Sequence, residues 1–221
     1  MRTDTEIRND VLSELEWDSR VPSSEISATV RDGVVTLVGV APSYAAKLAA
    51  QEAAHRARGV LDVASEIEVI PGGTSARSDA DLLHAVRRAL EWDALLDASR
   101  IHATVTGGWV TISGTTDLVR QREDAECSVQ HLAGVRGVIN RIEVIGAPAA
   151  VEDVRAAVLG ALQRRAEHEA KHIRVSVADH VVTLTGKVDS WLEKRAVLGM
   201  VGHIPGVRGV TDALEIDPYR S

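Results

Sequence analysis

A fourteen-residue pattern occurs three times in this chain and sets the scale on which it folds. Ile26–Gly39 reads ISATVRDGVVTLVG, Ile101–Gly114 reads IHATVTGGWVTISG and Ile173–Gly186 reads IRVSVADHVVTLTG, so the pattern returns after 75 and then 72 residues. Gly59-Val60, Gly134-Val135 and Gly206-Val207 keep the same steps, and the segment between the landmarks keeps its length in every copy. A fixed period of this kind has to be read before any local motif. About 70 residues suffice to bury a small core. The period therefore predicts three domains, 1–70, 78–145 and 150–217, each with its own core. Breaks fall at Pro71-Gly72-Gly73-Thr74-Ser75 and Gly146-Ala147-Pro148-Ala149. A residue recurring at all three frames serves the fold, and one confined to a single copy is the better candidate for a specific task.

Each copy reads as helix, hairpin, helix, strand. The first helix carries apolar residues at i, i+4 and i+8, namely Ile7, Val11, Leu15, then Leu82, Val86, Leu90, then Val154, Val158, Leu162. That spacing makes one buried stripe. Thr3 with Glu6 and Ser78 with Asp81 have the spacing of capping boxes. The hairpin alternates with period two: Ile26, Ala28, Val30, Val35 and Leu37 share one face, while Ser27, Thr29 and Thr36 lie on the other. Its turn is Asp32-Gly33, Gly107-Gly108 and, as a departure, Asp179-His180. Gly33 and Gly108 suit the positive φ of a two-residue turn. The second helix has the stripe Ala50, Ala54, Ala57, repeated as Ala125, Val129, Leu132 and Val197, Val201, Ile204. It is expected to end at Gly59, Gly134 and Gly206 in the left-handed region. The closing strand follows at once with Val63, Ile67 and Val69 and their equivalents. The fold class is therefore α+β, three tandem αββαβ two-layer sandwiches with two helices on a three-stranded sheet in each. The strand order stays open.

Charge and composition exclude several functions. The net charge of -7, from 32 acidic and 25 basic side chains, disfavours a general role on phosphate backbones. With no Phe and a Thr/Ser-rich polar sheet face there is no aromatic platform for bases, so nucleic acid is not expected as a partner. The charge is uneven, at -5 over residues 1–75, -2 over 76–147 and 0 over 148–221, which leaves the third copy least repelled by an anionic surface. Cys127 is alone, so no intrachain disulfide forms, and a buried structural thiol is expected. The opening residues MRTDTEIRND contain no apolar signal region and no run approaches membrane-spanning length. The expected location is cytoplasmic, or periplasmic if a leader was removed.

The αββαβ order, the hairpin D-G-x-V-T-L-x-G (Asp32, Gly33, Val35, Thr36, Leu37, Gly39) and the closing G-V-x-x-V (Gly59, Val60, Val63) resemble the BON domain, named for bacterial osmotically inducible and nodulation proteins. The resemblance covers nearly the whole chain as three tandem copies, with Gly114 and Gly186 at the frame of Gly39. It implies a non-enzymatic module of bacterial envelopes and stress, for which phospholipid or membrane attachment is the usual proposal. It also implies no cofactor. Some cytoplasmic members are linked to potassium binding when joined to a peptidoglycan-binding-type domain, and periplasmic members of the osmotically inducible type carry a signal peptide.

Several side chains are candidates for contact with an anionic phospholipid surface or another protein. Trp17 and Trp92 share a frame in Glu-Trp-Asp, where the third copy has Arg164 followed by Arg165. A ring capping the end of the core is the plain expectation, and an exposed anchor the sharper one. Lys47, Arg122 and Lys194 put a cation at one frame of the second helix, suited to a solvated face or a headgroup. Trp109 and Trp191 stand where the other copies have Val34/Val181 and Tyr44/Val119, as core or edge substitutions. His168-Glu169-Ala170-Lys171-His172 satisfies H-E-x-x-H, the zinc-hydrolase signature. Its frame joins the first helix to the first strand, with no third ligand at a recognisable spacing. It is therefore a decoy, and neither a metal nor a catalytic residue is assigned. Two functions follow as expectations: a stress or envelope binding protein with weak membrane-surface association, or a soluble scaffold for a protein or small ion.

Overall fold

The computed structural model describes residues 2–72, 77–146, 150–165 and 173–217. Among the described residues, six α-helices and nine strands follow the helix, hairpin, helix, strand order three times. The first repeat contains α1 (Asp4–Trp17), β1 (Ile26–Arg31), β2 (Val34–Ala41), α2 (Tyr44–Arg56) and β3 (Asp62–Val69). The second contains α3 (Asp79–Trp92), β4 (Ile101–Thr106), β5 (Trp109–Thr116), α4 (Val119–Gln130) and β6 (Gly137–Val144). The third contains α5 (Val151–Arg165), β7 (Arg174–Ala178), β8 (Val181–Val188), α6 (Trp191–Gly202) and β9 (Gly209–Ile216).

The strands form three separate three-stranded sheets, ordered β1-β2-β3, β4-β5-β6 and β7-β8-β9. This settles the strand order that the sequence leaves open. The hairpin's second strand is central in each sheet, and in the first and third repeats it is antiparallel to the first strand and parallel to the last, with Ala28 opposite Leu37 and Leu37 opposite Ser65 in the first. A parallel neighbour needs a long crossover, which the second helix supplies.

The cores follow the stripes. Ile7, Val11 and Leu15 of α1 are buried against α2, whose Ala46, Ala49, Ala50, Ala53 and Ala54 are buried in turn. The alanines let the two helices approach closely, while Val35 and Leu37 form the floor beneath them. Thr3 makes a full capping box with Glu6, and Ser78 accepts from the Asp81 amide at 3.1 Å. The second helix stops earlier than the glycine frame suggests, at Arg56 in the first repeat. A further turn follows, from the Ala57 amide to the Ala54 carbonyl and from the Val60 amide to the Ala57 carbonyl, before the chain enters the strand. Gly59, at φ +98°, serves that second turn.

The packing divides into two compact units. One holds residues 1–93, 103–112 and 126–139, and the other 94–102, 113–125 and 140–221, so the middle repeat contributes to both. Within the second unit, Val119 and Val144 join the apolar cluster formed by Val154, Val158, Val182, Leu184, Val197 and Val201. The third core is thus completed by side chains of the second repeat.

Candidate functional site

Trp17 and Trp92 are the last residues of α1 and α3, and their rings are 85% and 87% exposed. The core-capping expectation fails for a geometric reason. Each ring lies two residues past the last stripe residue, Leu15 or Leu90, which turns it about 200° around the helix and away from the sheet. The same geometry overturns the expectation for Cys127, which is exposed on α4 between the buried Ala125 and Val129. Asp18, next to Trp17, accepts from Arg20 at 2.8 Å and from Arg56 at 3.0 Å. The Arg20 hydrogen bond is the main reason that the Asp18 carboxyl is held well below the usual carboxylate range.

The cation frame of the second helix is tied into the fold. Lys47 Nζ donates to the Ile67 carbonyl at 2.8 Å. Lys194 Nζ does the same to the Leu214 carbonyl at 2.8 Å and also pairs with Asp212 at 2.8 Å. Both ammonium groups thereby staple a helix to the closing strand. Arg122 remains exposed, while its carbonyl accepts from Asn140 at 2.8 Å. Ser65, Asn140 and Asp212 share one frame, so each repeat equips this staple differently.

The hairpin turns carry a feature that sequence reasoning missed. The Asp4 carboxylate accepts from the amides of Asp32 and Gly33 at 2.9 and 3.2 Å, and Asp79 accepts from Gly107 and Gly108 at 2.7 and 3.0 Å. The third repeat has Val151 at this frame, and there Nδ1 of His180 lies 3.0 Å from the Gly206 carbonyl instead. The signal was available in the sequence: the Asp is absent from the one copy whose turn departs from glycine.

A cleft of about 470 Å³ lies in the first unit, where α2 and β3 of the first repeat meet β5 and Arg136, the residue before β6. Its lining includes Tyr44, Lys47, Ser65, Trp109 and Arg136. Trp109 is half-exposed at the start of the central strand β5, neither a core nor an edge-strand residue, and its ring lies over Gly137 so closely that a Cβ there would come within 2.4 Å of it. The Tyr44 hydroxyl accepts from the Val138 backbone amide, and burial raises its pKa, with Glu126 adding to the shift.

The model of one family, the BON domain, matches residues 3–71, 78–146 and 150–218. The chain belongs to the BON domain family. This family is one of non-catalytic binding domains. No curated protein matches the chain. Among solved structures, two of CdsD, a structural protein of the type III secretion system of Chlamydia trachomatis, align at 16% identity with a TM-score of 0.28. One is its C-terminal domain, with 98% of this chain and 100% of that one covered; for the other the shares are 97% and 94%.

The remaining sequence candidates of this tandem BON protein divide as follows. Arg164 and Arg165 lie at the end of α5, with side chains outside the described residues, as does all of His168, Glu169 and His172. Among the described residues, no group of three or more His, Cys, Asp and Glu side chains is arranged to hold a metal ion. No helix among them is long and apolar enough to cross a membrane. Trp191 opens α6 with the Arg195 guanidinium 5.2 Å from its ring centroid.

Proposed function

We propose that this BON protein is a non-enzymatic binding protein of the bacterial stress and envelope type that attaches weakly to phospholipid surfaces. The observation that carries the reading is the pair Trp17 and Trp92, more than four-fifths exposed at the same frame of two repeats. Covering such a ring fully is worth roughly 3 to 5 kcal/mol, and an indole is favoured where one side is apolar and the other wet. Asp18 pairs with Arg20 and Arg56, which also hold Glu52 and Glu14, so part of the repulsion that an acidic flank would meet at an anionic leaflet is offset. The third repeat adds the neutral charge balance noted above. Its contribution rests on cations such as Arg174 rather than on Lys194 or Lys187, which are paired with Asp212 and Asp217.

Co-sedimentation of the full chain with phosphatidylcholine vesicles, with and without phosphatidylglycerol, tests this. Binding is expected to rise with anionic lipid, to fall with salt and to blue-shift the tryptophan emission. The double variant Trp17→Ala, Trp92→Ala is expected to lose most of the binding. No binding at low salt on strongly anionic vesicles would refute the lipid reading. The second reading, a soluble protein-interaction scaffold, would then stand. It is favoured by the acidic residues Glu16 and Glu91 that precede the two tryptophans in sequence, which suit a basic protein partner.

A further inference from the structure

The cleft lined by Trp109 gathers residues that each repeat does not share. Trp109 stands where the other copies have Val34 and Val181, Tyr44 where they have Val119 and Trp191, and Ser65 where they have Asn140 and Asp212. These three single-copy residues come from β5, α2 and β3 and border one cavity of about 470 Å³, a volume within the range of small-molecule sites.

The repeats indicate what belongs there. In the third repeat the frame cation Lys194 has a carboxylate partner, Asp212, at 2.8 Å. In the first repeat Lys47 keeps the carbonyl bond, to Ile67, but the shorter Ser65 places no carboxylate beside it. Ser65 Oγ is buried with no hydrogen-bond partner among the described residues. A buried hydroxyl without a partner is uncommon in a folded protein. Arg136 adds a second cation to the wall, against the single carboxylate of Glu68. Trp109 supplies a flat ring, one part seated over Gly137 and the remainder bordering the cleft.

We infer that this cleft binds a small aromatic carboxylate. Its carboxylate takes beside Lys47 and Ser65 the place that Asp212 holds beside Lys194, and its ring stacks on Trp109. A charge-assisted hydrogen bond from Lys47 and one from the Ser65 hydroxyl satisfy the anion, and the indole supplies the stacking. The site is independent of the membrane reading, since neither Trp17 nor Trp92 lines it.

The test is calorimetric titration of the full chain with three probes: naphthoate, the corresponding neutral naphthalene methanol, and cyclohexanecarboxylate. Naphthoate is expected to bind at millimolar concentration or below, and each of the other two, lacking the charge or the ring, about tenfold more weakly or not at all. The variants borrow residues that the sibling repeats already carry and so preserve the fold. Ser65→Asp supplies the carboxylate internally and is expected to abolish naphthoate binding while leaving the melting temperature unchanged or higher. Trp109→Val is expected to weaken binding about tenfold, the loss of one stacking platform. Trp17→Ala is expected to leave it unchanged. Absence of naphthoate binding at millimolar concentration, binding retained in Ser65→Asp, or binding as tight in Trp109→Val as in the parent chain overturns the inference.

Discussion

Replacing Asp4 by Ala tests the idea that the first helix pins the hairpin turn. The Asp4 carboxylate receives two amides, those of Asp32 and Gly33, at 2.9 and 3.2 Å. Hydrogen bonds to a charged acceptor contribute about 1.5 to 3 kcal/mol each where water cannot replace them. Here Asp32 is exposed, so its amide rehydrates when the carboxylate is removed, and most of the loss falls on the partly buried Gly33 amide. Asp4 also opens α1, where an anion is stabilised by about 0.3 to 1 kcal/mol. The helix-end term is kept when the turn opens, so the amide contacts alone set a cost of about 2 kcal/mol for opening it, or roughly thirty-fold in an equilibrium constant. Amide hydrogen exchange followed by NMR on the full chain reads this directly. In Asp4→Ala the Asp32 and Gly33 amides are expected to exchange about thirty-fold faster, and in Asp4→Asn, which keeps one acceptor, by a smaller factor. The Asp179 and His180 amides, in the repeat that has Val151 at this frame, are the internal control and are expected not to change. A change of less than about threefold at Gly33 would refute the reasoning, because water would then be as good a partner as the carboxylate.

Three further outcomes are expected. Gly39→Ala places a Cβ 2.0 Å from the Glu25 carbonyl oxygen at a backbone φ of +149°, so urea denaturation should show a loss of several kcal/mol, whereas Gly72→Ala, with nothing within 4 Å, should be close to neutral. Because the Asp18 carboxyl is held below its ordinary value of 3.8, chiefly by Arg20, its contribution is complete above the ordinary carboxylate range and is lost as pH falls through the folded pKa. Acid titration of stability should therefore be less steep below about pH 4 in Asp18→Asn than in the parent chain. Zinc is not required: treatment with EDTA should leave the melting temperature unchanged and purified protein should carry no stoichiometric zinc by elemental analysis. A chelator-induced fall in melting temperature together with bound zinc would restore the His168, Glu169, His172 reading.

The repeat made most of the local structure legible. Buried stripes such as Ile7, Val11, Leu15 and the hairpin alternation around Val35 and Leu37 depend on the helical and strand periods alone, which neighbouring residues display whatever the chain does elsewhere. The positive φ at Gly33 and Gly108 likewise follows from turn chemistry confined to a few residues. The candidate contacts were less legible. The frame of Trp17 and Trp92 was visible, but the choice between a covered and a bare ring depended on the angle the indole makes with the stripe and on what packs against that helix end. Lys47 and Lys194 looked like surface cations because sequence distance hides the closing strand, twenty residues away, to whose carbonyls they donate.

What the sequence determined by itself is therefore the unit: its length, its elements, the face each one buries, and the turn chemistry that joins them. What only the tertiary structure decided is how side chains of different repeats come together inside each compact unit. Val119 and Val144 complete a core belonging to the next repeat, and Tyr44, Ser65 and Trp109 border one cleft although each sits at an unrelated frame. The physical reason is that periodicity records which side of an element faces an apolar neighbour, whereas the identity of that neighbour is fixed by contacts between residues distant along the chain, and no local pattern encodes those.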